Sequence, residues 1–348
     1  MNRPILGITM GDPAGIGPEI GAKAMARKQI YSLCNPLIVG DANAMKQAVQ
    51  IADVDINVRS IPEVSKAKFE YGTIDVFDLK NVEIAQLEHG KLSAMAGNAA
   101  FEAVKKVIEL ALEKRIDATV TGPINKEAIN LAGYHFPGHT EIYAHFTGTK
   151  DFAMLLVSGN LRVIHVSTHV SLRQACDMVK KDRVLKVIQL LNDGCKQFGI
   201  EMPRIGVAGL NPHASDGGLF GWEEEKEIIP AIEQARAMGI DVEGPLPPDI
   251  LFPKAKGGYF DGCVAMYHDQ GHIPFKFEEF KWNNEQGKMA SIRGINMTLG
   301  IPIIRVSVDH GTAFEIAGKG IANPQSLIQA IKYAAKIAAN KKLSNSVD

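Results

Sequence analysis

A chain of 348 residues, 46% of them hydrophobic and 22% charged, is long enough to bury more than one core. Its formal net charge of −1 excludes a general affinity for nucleic acid or an anionic membrane surface, and its four cysteines (Cys34, Cys176, Cys195, Cys263) form no CxxC pair and no disulfide framework. The first residues lack the apolar run of a signal peptide and no stretch has transmembrane length, so a soluble cytoplasmic protein is expected.

The chain opens with the apolar run Ile5–Met10, followed by the glycine-rich turn Gly11-Asp-Pro-Ala-Gly15-Ile-Gly17-Pro-Glu19-Ile-Gly21 ahead of a helix. This arrangement invites a dinucleotide-fingerprint reading, with Asp41 after the next strand, Pro36–Val39, near where a ribose-binding acid belongs. The glycines, however, are spaced GxGxxxG, and Pro18 stands at the helix start. Phe101, Val104, Val107, Ile108, Ala111 and Leu112 mark one face of a helix reaching about Arg115, before the strand Ala118–Thr121. Strands Phe152–Val157 and Leu161–Val166 follow. Ser171 with Gln174 reads as a capping box opening the helix that carries Val184, Val187, Ile188 and Leu191. Arg204–Leu210, Gly262–Tyr267 and Ile301–Ser307 are further strands. The segment Lys276–Arg293 is polar and without period, and reads as a long loop or lid. Alternation of this kind predicts an α/β fold with a mainly parallel sheet.

Three histidines stand just past apolar runs: His169, His213 and His268. Open α/β folds build their sites at the carboxyl ends of strands, and three neutral imidazoles leave a divalent ion an open position. A lone strand-end histidine is ordinarily a hydrogen-bonded loop residue, so spacing alone leaves both readings open; His165 and His272, nearby in sequence, read as structural or as supports behind the ligand histidines. A second glycine-rich segment, Asp309–Pro324, follows the strand Ile301–Ser307. It suits close wrapping around a flat ligand, and equally a tight connection to the last helix. Arg305, inside an apolar strand, needs a partner if buried.

The stretch His310-Gly-Thr-Ala-Phe-Glu-Ile-Ala-Gly-Lys-Gly-Ile-Ala-Asn-Pro324 resembles the adenosine-binding loop of the isocitrate and isopropylmalate dehydrogenases, and Gly15-Ile-Gly-Pro-Glu19 matches their N-terminal signature. The motifs GDPAGIGPEI, TGPINKEAI, FPGHTE, STHVSLR, LNPHASDGG, PPDILF, MYHDQGHIPFK and INMTLGIPIIRVSVDHGTAFEIAGKG resemble, in order from Gly11 to Gly320, the 4-hydroxythreonine-4-phosphate dehydrogenase family of pyridoxal phosphate biosynthesis. The resemblance implies two α/β/α lobes of the isocitrate/isopropylmalate dehydrogenase type with the active site in the interlobe cleft. The expected division is residues 1–124 plus 275–348 as nucleotide lobe and 125–274 as metal, substrate and dimerisation lobe.

The resemblance also implies site roles. His169, His213 and His268 become ligands of one divalent metal shared across a homodimer, zinc or cobalt suiting three imidazoles better than magnesium. His139, Thr140, Lys276, Asn296 and Arg305 become contacts to a phosphorylated substrate. NAD, with NADP not separated from it by the sequence, lies against the 310–323 loop, whose His310, Gly311, Thr312, Ala313 and Asn323 are the expected contacts. Lys126 is the candidate base, and Asp249 and Asp269 are carboxylates that orient ligand histidines. The implied reaction is oxidation of the 3-hydroxyl of 4-phosphohydroxy-L-threonine and loss of carbon dioxide from the β-keto acid; the alternative substrate is a 4-phosphorylated sugar acid such as erythronate or threonate phosphate. One departure is the longer step from Lys276 to Asn296, where residues 278–291 are extra. Outside the oxidoreductases, a metal-dependent phosphohydrolase would use the same histidines without the 310–323 loop, and a metabolite-binding protein would show no turnover.

Overall fold

The computed structural model describes residues 3–279, 282–284, 288–289 and 294–344. Its strands are β1 (Ile5–Thr9), β2 (Asn35–Gly40), β3 (Asn57–Ile61), β4 (Thr73–Asp78), β5 (Ala118–Thr121), β6 (Ala153–Ser158) and β7 (Leu161–His165). They continue with β8 (Ile205–Ala208), β9 (Val242–Leu246), β10 (Gly262–Ala265), β11 (Trp282–Asn283), β12 (Lys288–Met289), β13 (Ile295–Leu299) and β14 (Arg305–Val308). The helices are α1 (Gly17–Met25), α2 (Lys28–Leu33), α3 (Ala42–Ala52), α4 (Ala94–Leu112), α5 (Lys126–Leu131) and α6 (His139–Thr147). The rest are α7 (Leu172–Met178), α8 (Lys181–Gln197), α9 (Ile229–Ala237), α10 (Pro248–Lys256), α11 (His268–Glu279) and α12 (Gln325–Ser344). No described helix is long and apolar enough to cross a membrane.

The chain forms two compact units, one of Met1–Thr149 with Ile301–Asp348 and one of Lys150–Gly300. In the first, six parallel strands run in the order β3-β4-β2-β1-β5-β14. Its core joins Leu37 and Val39 of β2 to Phe101, Val104, Val107 and Ile108 of α4, the face read from the sequence. Each such fully buried side chain contributes roughly 1.5–3 kcal/mol. In the second unit the order is β13-β6-β7-β10-β8-β9, antiparallel at β13–β6 and β6–β7 and parallel beyond. Leu156, Val163, Phe252, Phe260 and Phe275 pack its core.

The structure differs from the sequence expectations in several places. The divisions fall after residues 149 and 300, where 124 and 275 were expected. The cause is packing: α5 and α6 lie on α4, which keeps 125–149 in the first unit, and β13 pairs with β6, which keeps 295–299 in the second. The capping box at Ser171 is present, but the helix it opens ends at Met178. Backbone at Val179 and Lys180 leaves the helical region, and Val184–Leu191 lie on the separate α8. The last strand begins at Arg305 rather than Ile301, because Pro302 has no N–H to give a ladder. Lys276 sits in the last turn of α11 and β11 pairs with β12, so the expected long loop is partly regular; half of the extra segment 278–291 lies outside the described residues.

Candidate functional site

In the first unit, three segments remote in sequence converge on Arg305. This residue begins β14 opposite Thr119 of β5, is 3% exposed, and donates through Nη2 to Thr121 Oγ1 at 3.2 Å. Its guanidinium lies 5.6 Å from the centroid of the Tyr143 ring, whose hydroxyl donates to Thr119 Oγ1 at 2.9 Å. Burial pulls the Arg305 pKa down to about 10, with Tyr143 and Glu141 opposing, so it stays protonated at neutral pH. His139 and Thr140 open α6 rather than lying in a loop. His139 Nε2 is buried without a hydrogen-bond partner among the described residues. Burial, then Arg305 and Lys126, hold the His139 pKa well below its usual value. Its imidazole is therefore neutral, a hydrogen-bonding group rather than a charge. Lys126 is the first residue of α5, which Asn125 caps by accepting from Ala128 N at 3.0 Å. The buried Arg305, the exposed Lys126 and a neutral imidazole thus gather near the ends of β5 and β14, a setting suited to a phosphate or carboxylate. Tyr143 and Glu141 were missed from sequence, although the FPGHTE motif contains Glu141.

The two glycine-rich segments, which compete when read from sequence, form one structure. Ile16 N donates to Thr312 O at 3.0 Å, and a β-carbon on Gly15 would stand 2.8 Å from Thr312 Cβ. Only glycine lets these backbones meet. Farther along, Lys23 Nζ donates at 2.8 Å to Glu19 Oε1 and to the carbonyls of Gly320 and Ala322, while Ala322 N donates to the same Glu19 oxygen at 2.7 Å. Helix α1 thereby anchors the loop that holds His310, Gly311, Thr312, Ala313 and Asn323. Ala313 takes a left-handed conformation (φ 44°), and Asn323 Oδ1 accepts from Gln325 N at the start of α12. Nothing approaches the position a β-carbon would take on Gly311, so that stretch of backbone is open. Asp41 is not a ribose ligand in this geometry: its carboxylate caps α3 through Asn43 N and Ala44 N and accepts from Val82 N. Asp12, unnoticed in the sequence, is fully buried; Oδ1 accepts from Ala14 N while Oδ2 has no partner among the described residues. Burial raises its pKa to about 6.

In the second unit His169, beyond β7, and His268, opening α11, face each other with ring centroids 5.9 Å apart. Both line a cavity of about 580 Å³ with Tyr267, Asp269 and Gln174. His268 Nδ1 lies 2.6 Å from Asp269 Oδ1, which fixes the tautomer and turns Nε2 outward as the donor atom. His213 repeats the device with Asp216, Nδ1 to Oδ2 at 3.1 Å. Asp249 is exposed in the first turn of α10, so Asp216 takes the orienting place that the sequence reading gave it. The His213 loop holds His213, Ala214, Ser215 and Asp216 at positive φ, a strained run secured by the buried Glu224, which accepts from Leu210 N and Asn211 N at 2.7 Å. This donor set has the chemistry of a transition-metal site, with carboxylate-oriented imidazoles. Among the described residues of one chain, however, no three metal-binding groups assemble: His169 and His268 are together and His213 is apart. Lys276 and Asn296 also belong to this unit, on α11 and β13. Burial, and then the neighbouring imidazoles, lower the pKa of His165 to about 3 and of His272 to about 4.

An α/β scaffold with a cationic cluster around a buried arginine, a double glycine loop and carboxylate-paired imidazoles defines the class of protein. Its family follows from comparison: the family described as pyridoxal phosphate biosynthetic protein PdxA matches residues 32–334, and the chain belongs to it. The D-threonate 4-phosphate dehydrogenase of Cupriavidus necator is 46% identical over 339 residues, covering 97% of this chain and 98% of that one. The crystal structure of a 4-hydroxythreonine-4-phosphate dehydrogenase from Burkholderia phymatum is 45% identical, with a TM-score of 0.83 and coverage of 97% and 99%. The corresponding Klebsiella pneumoniae structure is 42% identical, with a TM-score of 0.85 and coverage of 96% and 99%.

Proposed function

We propose that the protein is an NAD- and divalent-metal-dependent dehydrogenase that oxidises the 3-hydroxyl of a 4-phosphorylated four-carbon hydroxy acid, with D-threonate 4-phosphate as first candidate. The observation that carries the reading is the convergence of Lys126, His139 and Arg305 on one anion site. The Cupriavidus necator relative, matched along nearly its whole length, supports the sugar-acid substrate. A bound dinucleotide would take up the hydride from C3, two electrons with a proton, and the hydroxyl proton would pass to a base. The resulting β-keto acid loses carbon dioxide, which for D-threonate 4-phosphate leaves dihydroxyacetone phosphate.

Arg305 neutralises an anionic substrate group, and neutral His139 hydrogen-bonds to it. Lys126, exposed at the helix start, is the candidate proton acceptor. The loop of His310–Asn323, seated on Gly15, would hold the dinucleotide. His169 and His268 of one chain with His213 of a second would hold the ion, whose charge would favour loss of a proton from a nearby hydroxyl. A homodimer is supported by apolar side chains exposed around each histidine: Leu172 near His169, Leu219 and Trp222 near His213, and Ile273 and Phe277 on α11, Phe277 being 88% exposed.

The second reading, 4-phosphohydroxy-L-threonine, is favoured by the names of the solved relatives and by Glu141, a carboxylate near the cation cluster suited to an ammonium. NADH formation by metal-loaded protein with each substrate tests both. Preference for the sugar acid supports the first reading and preference for the amine the second, while silence with both removes the dehydrogenase assignment.

A further inference from the structure

His165, at the end of β7, is 1% exposed; the backbone of Met154 is a hydrogen-bonding neighbour of its ring, but neither ring nitrogen makes a well-formed hydrogen bond among the described residues. A buried imidazole left in this state calls for an explanation. Its ring lies 4.7 Å from that of His272. The His272 ring lies 3.7 Å from that of His268 with 11° between their planes, and its Nδ1 is 3.1 Å from the His268 carbonyl oxygen. His268 and His272 are four residues apart on α11, the spacing that stacks side chains on one helix face. Between them in sequence, Gly271 makes room: a β-carbon there would stand 2.4 Å from His165 Nε2. His268 and His272 stack and His165 packs on His272 at 40°, so the rings form a row running from the interior of the second unit to the open face of His268.

We infer that His272, backed by His165, is a positioning residue that fixes the ring plane of His268 for metal binding. Asp269 selects which nitrogen of His268 faces outward, and the stack determines where that nitrogen points. The inference rests on the metal reading proposed above. A ligand ring held before the ion arrives loses little freedom on binding, which raises affinity without a further metal–ligand bond.

The test is cobalt(II) binding by the full-length protein, measured by competition with a chromophoric chelator and by the visible absorption of the bound ion. His272→Ala is expected to weaken cobalt binding by about tenfold or more and to change the absorption bands. His272→Phe keeps a flat ring in the stack and should return affinity to within about threefold of wild type. Gly271→Ala, which drives a methyl group into His165, should weaken binding with all the histidines retained. The thermal midpoint of each metal-free variant separates these effects from unfolding. Unchanged affinity and bands in His272→Ala would overturn the inference, as would equal losses in the Ala and Phe variants. Wild-type protein that binds no cobalt would instead overturn the metal reading, and this inference with it.

Discussion

The loop of residues 309–324 and the loop of residues 211–221 solve opposite problems. The first is held from behind: Thr312 is seated on Gly15, and Lys23 and Glu19 tie down Gly320 and Ala322. The second is held at its base by Glu224 and from within by the buried Ser215, whose hydroxyl donates to Gly221 O at 2.7 Å and accepts from Gly218 N at 2.8 Å. Its tip carries His213 outward on four consecutive non-glycine residues at positive φ. A loop that cradles a ligand within one chain gains from satisfied backbone groups. On the function proposed above, the second loop would offer His213 to another chain and accept backbone strain to do so.

The largest expected break in this comparison is Lys23→Met. It leaves the buried Glu19 carboxylate without its cation and frees two carbonyls, at a cost of about 3–5 kcal/mol. Thermal unfolding should show that loss, NADH fluorescence titration should show weaker dinucleotide binding, and Glu19→Gln in the same chain should recover part of the stability. Asp12→Asn acts in the opposite direction. The native carboxyl has its pKa raised from 3.8 to about 6, so its contribution is fully present below pH 3.8 and is lost as pH rises through 6. Asparagine keeps the acceptor for Ala14 N and carries no charge, so the variant should be more stable than wild type by about 2–3 kcal/mol at pH 8 and equal to it near pH 3.5. Denaturant unfolding at the two pH values gives the difference directly. The smallest effect is Ala214→Gly, where removing the β-carbon at φ 55° should stabilise the second loop by about 1 kcal/mol, read as a rise in thermal midpoint.

The buried strands and α4 were legible because apolar runs and helical spacing survive in the sequence. β3 was not: in Asn57–Ile61 only Ile61 is buried, so this edge strand has no apolar run to see. β9 hides behind Pro245, and β13 was passed over although its Ile-Asn-Met-Thr-Leu run alternates apolar and polar residues. At the site, Arg305 stood out because an arginine within an apolar strand is chemically conspicuous. The three histidines were found by their position after strands, but their assignment to one ion came from the family resemblance. Asp12, Glu19, Lys23 and Asp216 were passed over because their significance lies in contacts with remote backbone or in one local pairing. Asp216 alone carries a local signal, standing three residues after His213.

The anchoring of residues 320–322 by Glu19 and Lys23 also bears on synthesis. The partners are about three hundred residues apart, and everything from Lys150 to Gly300 belongs to the other unit. The second unit is contiguous and can close its core while the ribosome is still producing β14. The first must wait, with one edge of β5 uncovered, until the last segment emerges. The uninterrupted unit therefore matures first and the nucleotide loop last, which makes that exposed strand edge the point at which chaperone protection matters most.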